Sequence, residues 1–110
     1  MVIESVDKEP EANIVNWSVH AAKFSNGNKS HHLLGFVPYK AGRVTSAIYK
    51  FDPENQKIIT ASGRVYTLKG PPGLSDDAEY VWQNWKLMNS VVNDIDVTES
   101  YARQIKNLIM

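Results

Sequence analysis

Arg64-Val65-Tyr66-Thr67-Leu68-Lys69-Gly70-Pro71-Pro72-Gly73-Leu74-Ser75-Asp76-Asp77-Ala78 contains the change of pattern that decides the fold. Val65, Tyr66 and Thr67 are the β-branched and aromatic types that strands favour. Pro71 and Pro72 then have no N–H for a ladder, and each fixes φ, so a sheet stops there. Beyond them Ser75 offers an N-cap oxygen. Asp76, Asp77 and Glu79 put negative charge where the first turn of a helix favours it.

Upstream of this boundary the chain reads as strands. Val15, Trp17, Val19 and Ala21 alternate with Asn16, Ser18 and His20, the two-residue period of a half-buried strand. Asn26-Gly27 supplies the positive φ angles of a hairpin turn, and Leu33 to Val37 returns from it. Pro38 ends that strand or places it at an edge. Ala41-Gly42 predicts the next turn, followed by a strand over Val44 to Phe51. Asp52-Pro53-Glu54-Asn55 has turn chemistry. Lys57 to Ala61 is a fourth strand, Ser62-Gly63 a turn, and Arg64 to Lys69 a fifth. Connections this short predict an antiparallel meander.

Downstream the period lengthens. Ala78, Val81, Trp82, Trp85, Met88 and Val92 fall on one helical stripe. Asn93-Asp94 breaks it. Asp96 and Glu99 have the spacing of a capping box, with Thr98 as a competing cap. Tyr101, Ala102, Ile105, Leu108 and Ile109 form a second stripe. The expected architecture is α+β: a meander of about five strands over 12–69, as a curved sheet or a small SH3-like barrel, then two helices over 75–110. Residues 1–11 read as a polar lead-in with a short extended piece over Val2 to Val6. The chain of 110 residues fits a single domain.

Composition bounds the function. There are 12 Lys and Arg against 12 Asp and Glu, no Cys, and 43% hydrophobic residues. No run approaches the length of a membrane span. The first residues show no basic segment leading into an apolar one, so no signal peptide is expected. With no Cys, this favours a cytoplasmic protein. The neutral total hides a division. Ala12 to Lys69 holds eight basic and two acidic residues, while acids dominate residues 1–11 and 70–110. A basic sheet with interleaved aromatics is suited to an acidic protein surface or to single-stranded nucleic acid, whose bases stack on aromatic rings. The same polarity suits self-association, for example as a dimer.

Catalytic chemistry is not visible. No Ser or Thr stands in a nucleophile motif, and Gly70-Pro71-Pro72-Gly73 lacks the N–H donors of a phosphate loop. His20, His31 and His32 are the only histidines. His20 and His32 are expected on facing strands, with no acid nearby in sequence to complete a metal site. His31 and His32 are expected to flank an exposed loop. Neither a metal nor a cofactor is predicted, and no enzyme activity. A pocket lined by His20 or His32 and a carboxylate would argue for a small-ligand protein or an enzyme instead.

The Thr60-x-Ser62-Gly63-Arg64-x-Tyr66-x-Leu68-x-Gly70 pattern resembles hairpins of short bacterial proteins and implies no activity. The expectation is a non-enzymatic module that binds another protein through the basic sheet or a sheet–helix seam. The residues expected to carry binding are Arg43, Tyr49, Arg64, Tyr66 and Trp85. Arginine offers a planar donor fork, and aromatic side chains are frequent anchors at interfaces.

Overall fold

A computed structural model of the chain describes residues 5–109. Five strands come first: β1 (Glu11–Phe24), β2 (Lys29–Val37), β3 (Ala41–Asp52), β4 (Lys57–Thr60) and β5 (Val65–Leu68). Helix α1 (Asp76–Met88), strand β6 (Val91–Asp96) and helix α2 (Thr98–Ile109) follow. The α+β class, the antiparallel meander and the two C-terminal helices are as the sequence predicts.

The meander closes on itself. Strands β1 to β5 pair in order, each antiparallel to the next, and β5 then pairs with the start of β1 through Glu11↔Val65 to Ile14↔Leu68. That last pairing is parallel. It has to be, because strand direction alternates along a meander, and the first and fifth strands of five run the same way. β1 is long enough to serve two neighbours on one side. Its first residues hold β5, and His20 to Phe24 hold β6 in antiparallel register. β6 is therefore the last strand of the sheet, with one edge unpaired among the described residues.

Two apolar cores result. Ile14, Trp17, Val19, Leu33, Val37, Ile58, Tyr66 and Leu68 pack together within the ring. Tyr101 and Ile105 of α2 join them, so α2 closes the end where β5 finishes. The second core lies outside, where α1 lies over β2 and β3 and its tryptophans reach β1. Ala22, Leu34, Ala78 and Trp82 are buried there, with Phe24, Val44, Trp85 and Val91 packed against them. Burying one such leucine contributes about 2 kcal/mol. Gly42 lets α1 approach β3: a Cβ at this position would collide with Ala78 N and Asp77.

Local chemistry sets the boundaries much as expected. Ser75 caps α1, its hydroxyl accepting from Ala78 N at 3.2 Å. Gly27 and Gly63 turn the hairpins at φ 90° and 93°. Ser90, at φ 56°, reverses the chain from α1 into β6.

Four expectations need correction. The turn expected at Ala41-Gly42 falls at residues 38–40, with Tyr39 at φ 65°, and Ala41 already pairs with Val37. Val92 does not extend the first helical stripe, because α1 ends at Met88 and Val91–Asp96 forms β6. Of that stripe only Ala78 and Trp82 are buried. Finally, β1 does not keep a two-residue period. Its register shifts between Val15 and Ser18, where Asn16 adopts φ 48°. Ser18 and His20 are then buried as well, because β1 carries packing on both faces. The extended piece expected over Val2 to Val6 lies mostly outside the described residues, as do the side chains of Leu108 and Ile109.

Candidate functional site: the seam between α1 and β6

Three elements meet around Asp94. β1 supplies His20, α1 supplies Glu79, Trp82 and Lys86, and β6 supplies Asp94 and Asp96. His20 Nδ1 lies 2.7 Å from Asp94 Oδ1. Trp82 Nε1 and Lys86 Nζ each donate to Asp94 Oδ2 at 2.9 Å. Burial pushes the Asp94 carboxyl up, but the bonds from His20, Lys86 and Trp82 outweigh it and hold it below its ordinary value. Asp94 is therefore an anion, and the proton in the short His20 contact sits on Nδ1.

The other ring nitrogen is in a different position. His20 is 9% exposed, and its Nε2 is buried with no hydrogen-bond partner. It faces Glu79 Oε1 at 3.9 Å and Asp96 Oδ2 at 4.0 Å. Asp96 uses its other oxygen, Oδ1, to accept from Thr98 N at the start of α2. An Asp–His pair of this kind can orient a general base. Here the second ring nitrogen faces two carboxylates rather than a hydroxyl or thiol.

His32 lies beside this cluster, paired in register with His20. It is buried rather than flanking an exposed loop, which corrects the sequence expectation. Its Nδ1 donates to the Thr45 carbonyl at 2.9 Å, and its Nε2 accepts from Ser30 Oγ at 2.7 Å. Burial pushes its imidazole below the ordinary value against the Thr45 bond, and His31 adds to the lowering. His31 is exposed and meets the Tyr101 hydroxyl at 2.7 Å, tying α2 to β2.

Trp82 and Trp85 stack at 5.4 Å with their rings 16° apart. Trp82 is fully buried, and Trp85 is half-buried against His32, at 4.6 Å, and Phe24, at 6.0 Å. Beyond the tryptophans the seam opens. A groove of about 480 Å³ is lined by Gln83, Lys86, Leu87, Val91, Val92 and Asn93, among others. Leu87 is 82% exposed and Val92 62%, with Met88 and Ile95 exposed nearby in sequence.

The other residues singled out in the sequence fall elsewhere. Arg43 is only 4% exposed and Arg64 and Tyr66 are buried too, at the end of the ring away from α2. Arg43 Nη1 donates to the Tyr66 hydroxyl at 3.4 Å and stands 3.6 Å from Glu9 Oε1. Arg64 Nε donates to the Glu9 carbonyl at 2.9 Å. The structure thus brings Arg43, Arg64 and Tyr66 together, but around the chain's own Glu9 and away from solvent. Tyr49 is exposed on β3, separate from them. Trp85 alone of the five belongs to the seam.

Part of the segmental charge is met within the chain. Lys40 and Arg43 pair with Glu9, and Lys57 pairs with Glu11, so the acidic lead-in neutralises part of the sheet. Sequence reasoning missed Glu79, Asp94 and Asp96 as partners of His20, and Lys86 as a partner of Asp94. The available signal was the register of β1 with β6, which no local pattern encodes. Among the described residues no three His, Asp or Glu groups are placed to hold a metal ion, and no helix is long and apolar enough to cross a membrane. Comparison with family models, with curated proteins and with solved structures gives no match.

Proposed function

We propose that this protein is a non-enzymatic binding module that takes an extended segment of a partner protein along the outer edge of β6. The observation that carries the reading is the open backbone edge of β6 beside the exposed side chains of Leu87 and Val92. An unpaired strand edge offers a row of N–H and C=O groups, and an added strand satisfies them while neighbouring pockets select side chains. The groove between α1 and β6 supplies such a pocket, and exposed apolar side chains gathered at one place are typical of contact surfaces.

A photo-crosslinking amino acid at position 92, compared with one at exposed Lys69, tests this in the cell. Position 92 should yield a discrete adduct that position 69 does not. The double variant Leu87→Ser with Val92→Ser should reduce capture by a partner about tenfold, the effect of losing roughly 1.4 kcal/mol of contact, while the circular dichroism stays native. Equal adducts from both positions, or none, would overturn the proposal. An adduct of twice the chain mass would replace the partner with a second copy.

A further inference from the structure

We infer that His20, Glu79 and Asp96 form a receptor for one cationic side chain, an arginine or lysine, carried by the segment that docks on β6. This rests on the proposed docking edge and specifies the chemistry of its occupant. Two neighbouring groups of polar atoms contrast here. Asp94 is saturated with donors: His20 Nδ1, Trp82 Nε1 and Lys86 Nζ all point at it. On the far side of the same imidazole the balance is reversed. The carboxylate oxygens Glu79 Oε1 and Asp96 Oδ2 converge on Nε2 at 3.9 and 4.0 Å, beyond hydrogen-bond distance of it. No hydrogen-bond donor reaches Nε2.

Two carboxylates gathered beside a buried nitrogen that has no hydrogen-bond partner favour the arrival of a cation between them. Access exists through the carboxylates. Asp96 is 61% exposed at its side chain and Glu79 30%. The position also fits the edge. Side chains alternate between the two faces of a sheet, and residues opposite one another on paired strands share a face. A residue of an added strand placed across from Asp96 therefore projects to the α1 side, where Glu79 stands. A guanidinium there meets two carboxylates with a fork of donors. Among the described residues no three His, Asp or Glu groups are placed to hold a metal ion.

The test uses the full-length protein and two probes of equal shape. One is the blocked peptide Val-Arg-Val-Arg-Val, and the other carries citrulline, the neutral isostere, at both arginine positions. Binding is read by tryptophan fluorescence at low salt, and the His20 ring nitrogens by nitrogen-15 NMR. The arginine peptide should bind at least about tenfold more tightly and lose that advantage at high salt. Asp96→Asn combined with Glu79→Gln should abolish the difference without abolishing binding of the citrulline peptide. The Nε2 resonance should move with the arginine peptide only, which a merely structural His20 would not show. Equal binding of both peptides would overturn the cation receptor and leave the docking edge standing. Failure of both peptides to bind would overturn both. Full protonation of Nε2 at pH 7.5 in the free protein would also overturn the receptor, because the acceptors would then already hold their cation.

Discussion

His20 Nδ1 and Asp94 Oδ1 meet at 2.7 Å across 74 residues of sequence, joining the ring to the strand that follows α1. The same carboxylate binds Trp82 and Lys86, so one side chain ties β1, α1 and β6 together.

Asp94→Ala should therefore destabilise the protein more than its partial exposure suggests. It leaves the Trp82 and His20 donors without an acceptor, at about 1–3 kcal/mol. Urea unfolding should show the loss, and the melting temperature should fall by roughly 4 °C or more per kcal/mol. Asp94→Asn, which keeps one acceptor oxygen, should lose less. Equal losses would show that the carboxylate charge, not the acceptor, matters.

Stability should fall with acid in two separate windows. The His32 imidazole is held below its ordinary value of 6.5 by burial. As pH drops below that value the unfolded chain takes up a proton the fold resists, so stability present above it is progressively lost. The Asp94 carboxyl is held below 3.8, and exposed Asp52, bonded to Asn55, is held low as well. Their contribution is present above 3.8 and disappears as pH falls through their lowered folded values. Urea titrations at a series of pH values should resolve both declines. His32→Gln should remove the upper one and Asp94→Asn should shrink the lower.

Glu9→Gln should destabilise the ring at the end opposite α2. Arg43 is nearly fully buried and faces the Glu9 carboxylate at 3.6 Å. Removing one partner of a buried pair costs about 3 kcal/mol, because the remaining charge is left uncompensated. Lysine at position 43 should not restore the loss in the native pair, since it lacks the planar fork that also reaches Tyr66. Chemical denaturation of the two variants and the native chain measures this directly.

Gly42→Ala should displace α1. The added methyl meets the backbone at Ala78 and Asp77, which cannot swing aside as a flexible side chain would. Overpacking of this kind costs about 1–3 kcal/mol. The near-ultraviolet signal of Trp82 and Trp85 should change, since α1 holds their stack over His32. An unaltered spectrum with native stability would show that α1 tolerates a wider seat on β3.

The parts of this fold that were legible in the sequence are those set by neighbours along the chain. Gly27 and Gly63 announce their turns, Pro71 and Pro72 end the sheet, and Ser75 with its acidic followers starts α1. β6 was hidden because Asn93 and Asp94 are poor strand formers in isolation, and Val91–Asp96 becomes a strand only by pairing with β1. The inward turn of Arg43 and Arg64 was hidden because charge pattern alone does not tell an exposed arginine from one that binds the lead-in. The His20 cluster was hidden for a related reason. Its acids stand at positions 79, 94 and 96, beyond the reach of any spacing rule.

The parallel closure of the ring sets a timetable for folding. Hairpins of neighbouring strands can form as soon as their turns exist, but Glu11 and Ile14 wait for Val65 and Leu68. On a ribosome the first strand is thus made early and completed late. One side of its first residues stays unpaired until the fifth strand has emerged, and its far half waits longer still for Val91–Asp96. Contacts separated this widely slow folding relative to a helical chain of equal length. The strand that organises the molecule is also the one that spends longest exposed to the wrong neighbours.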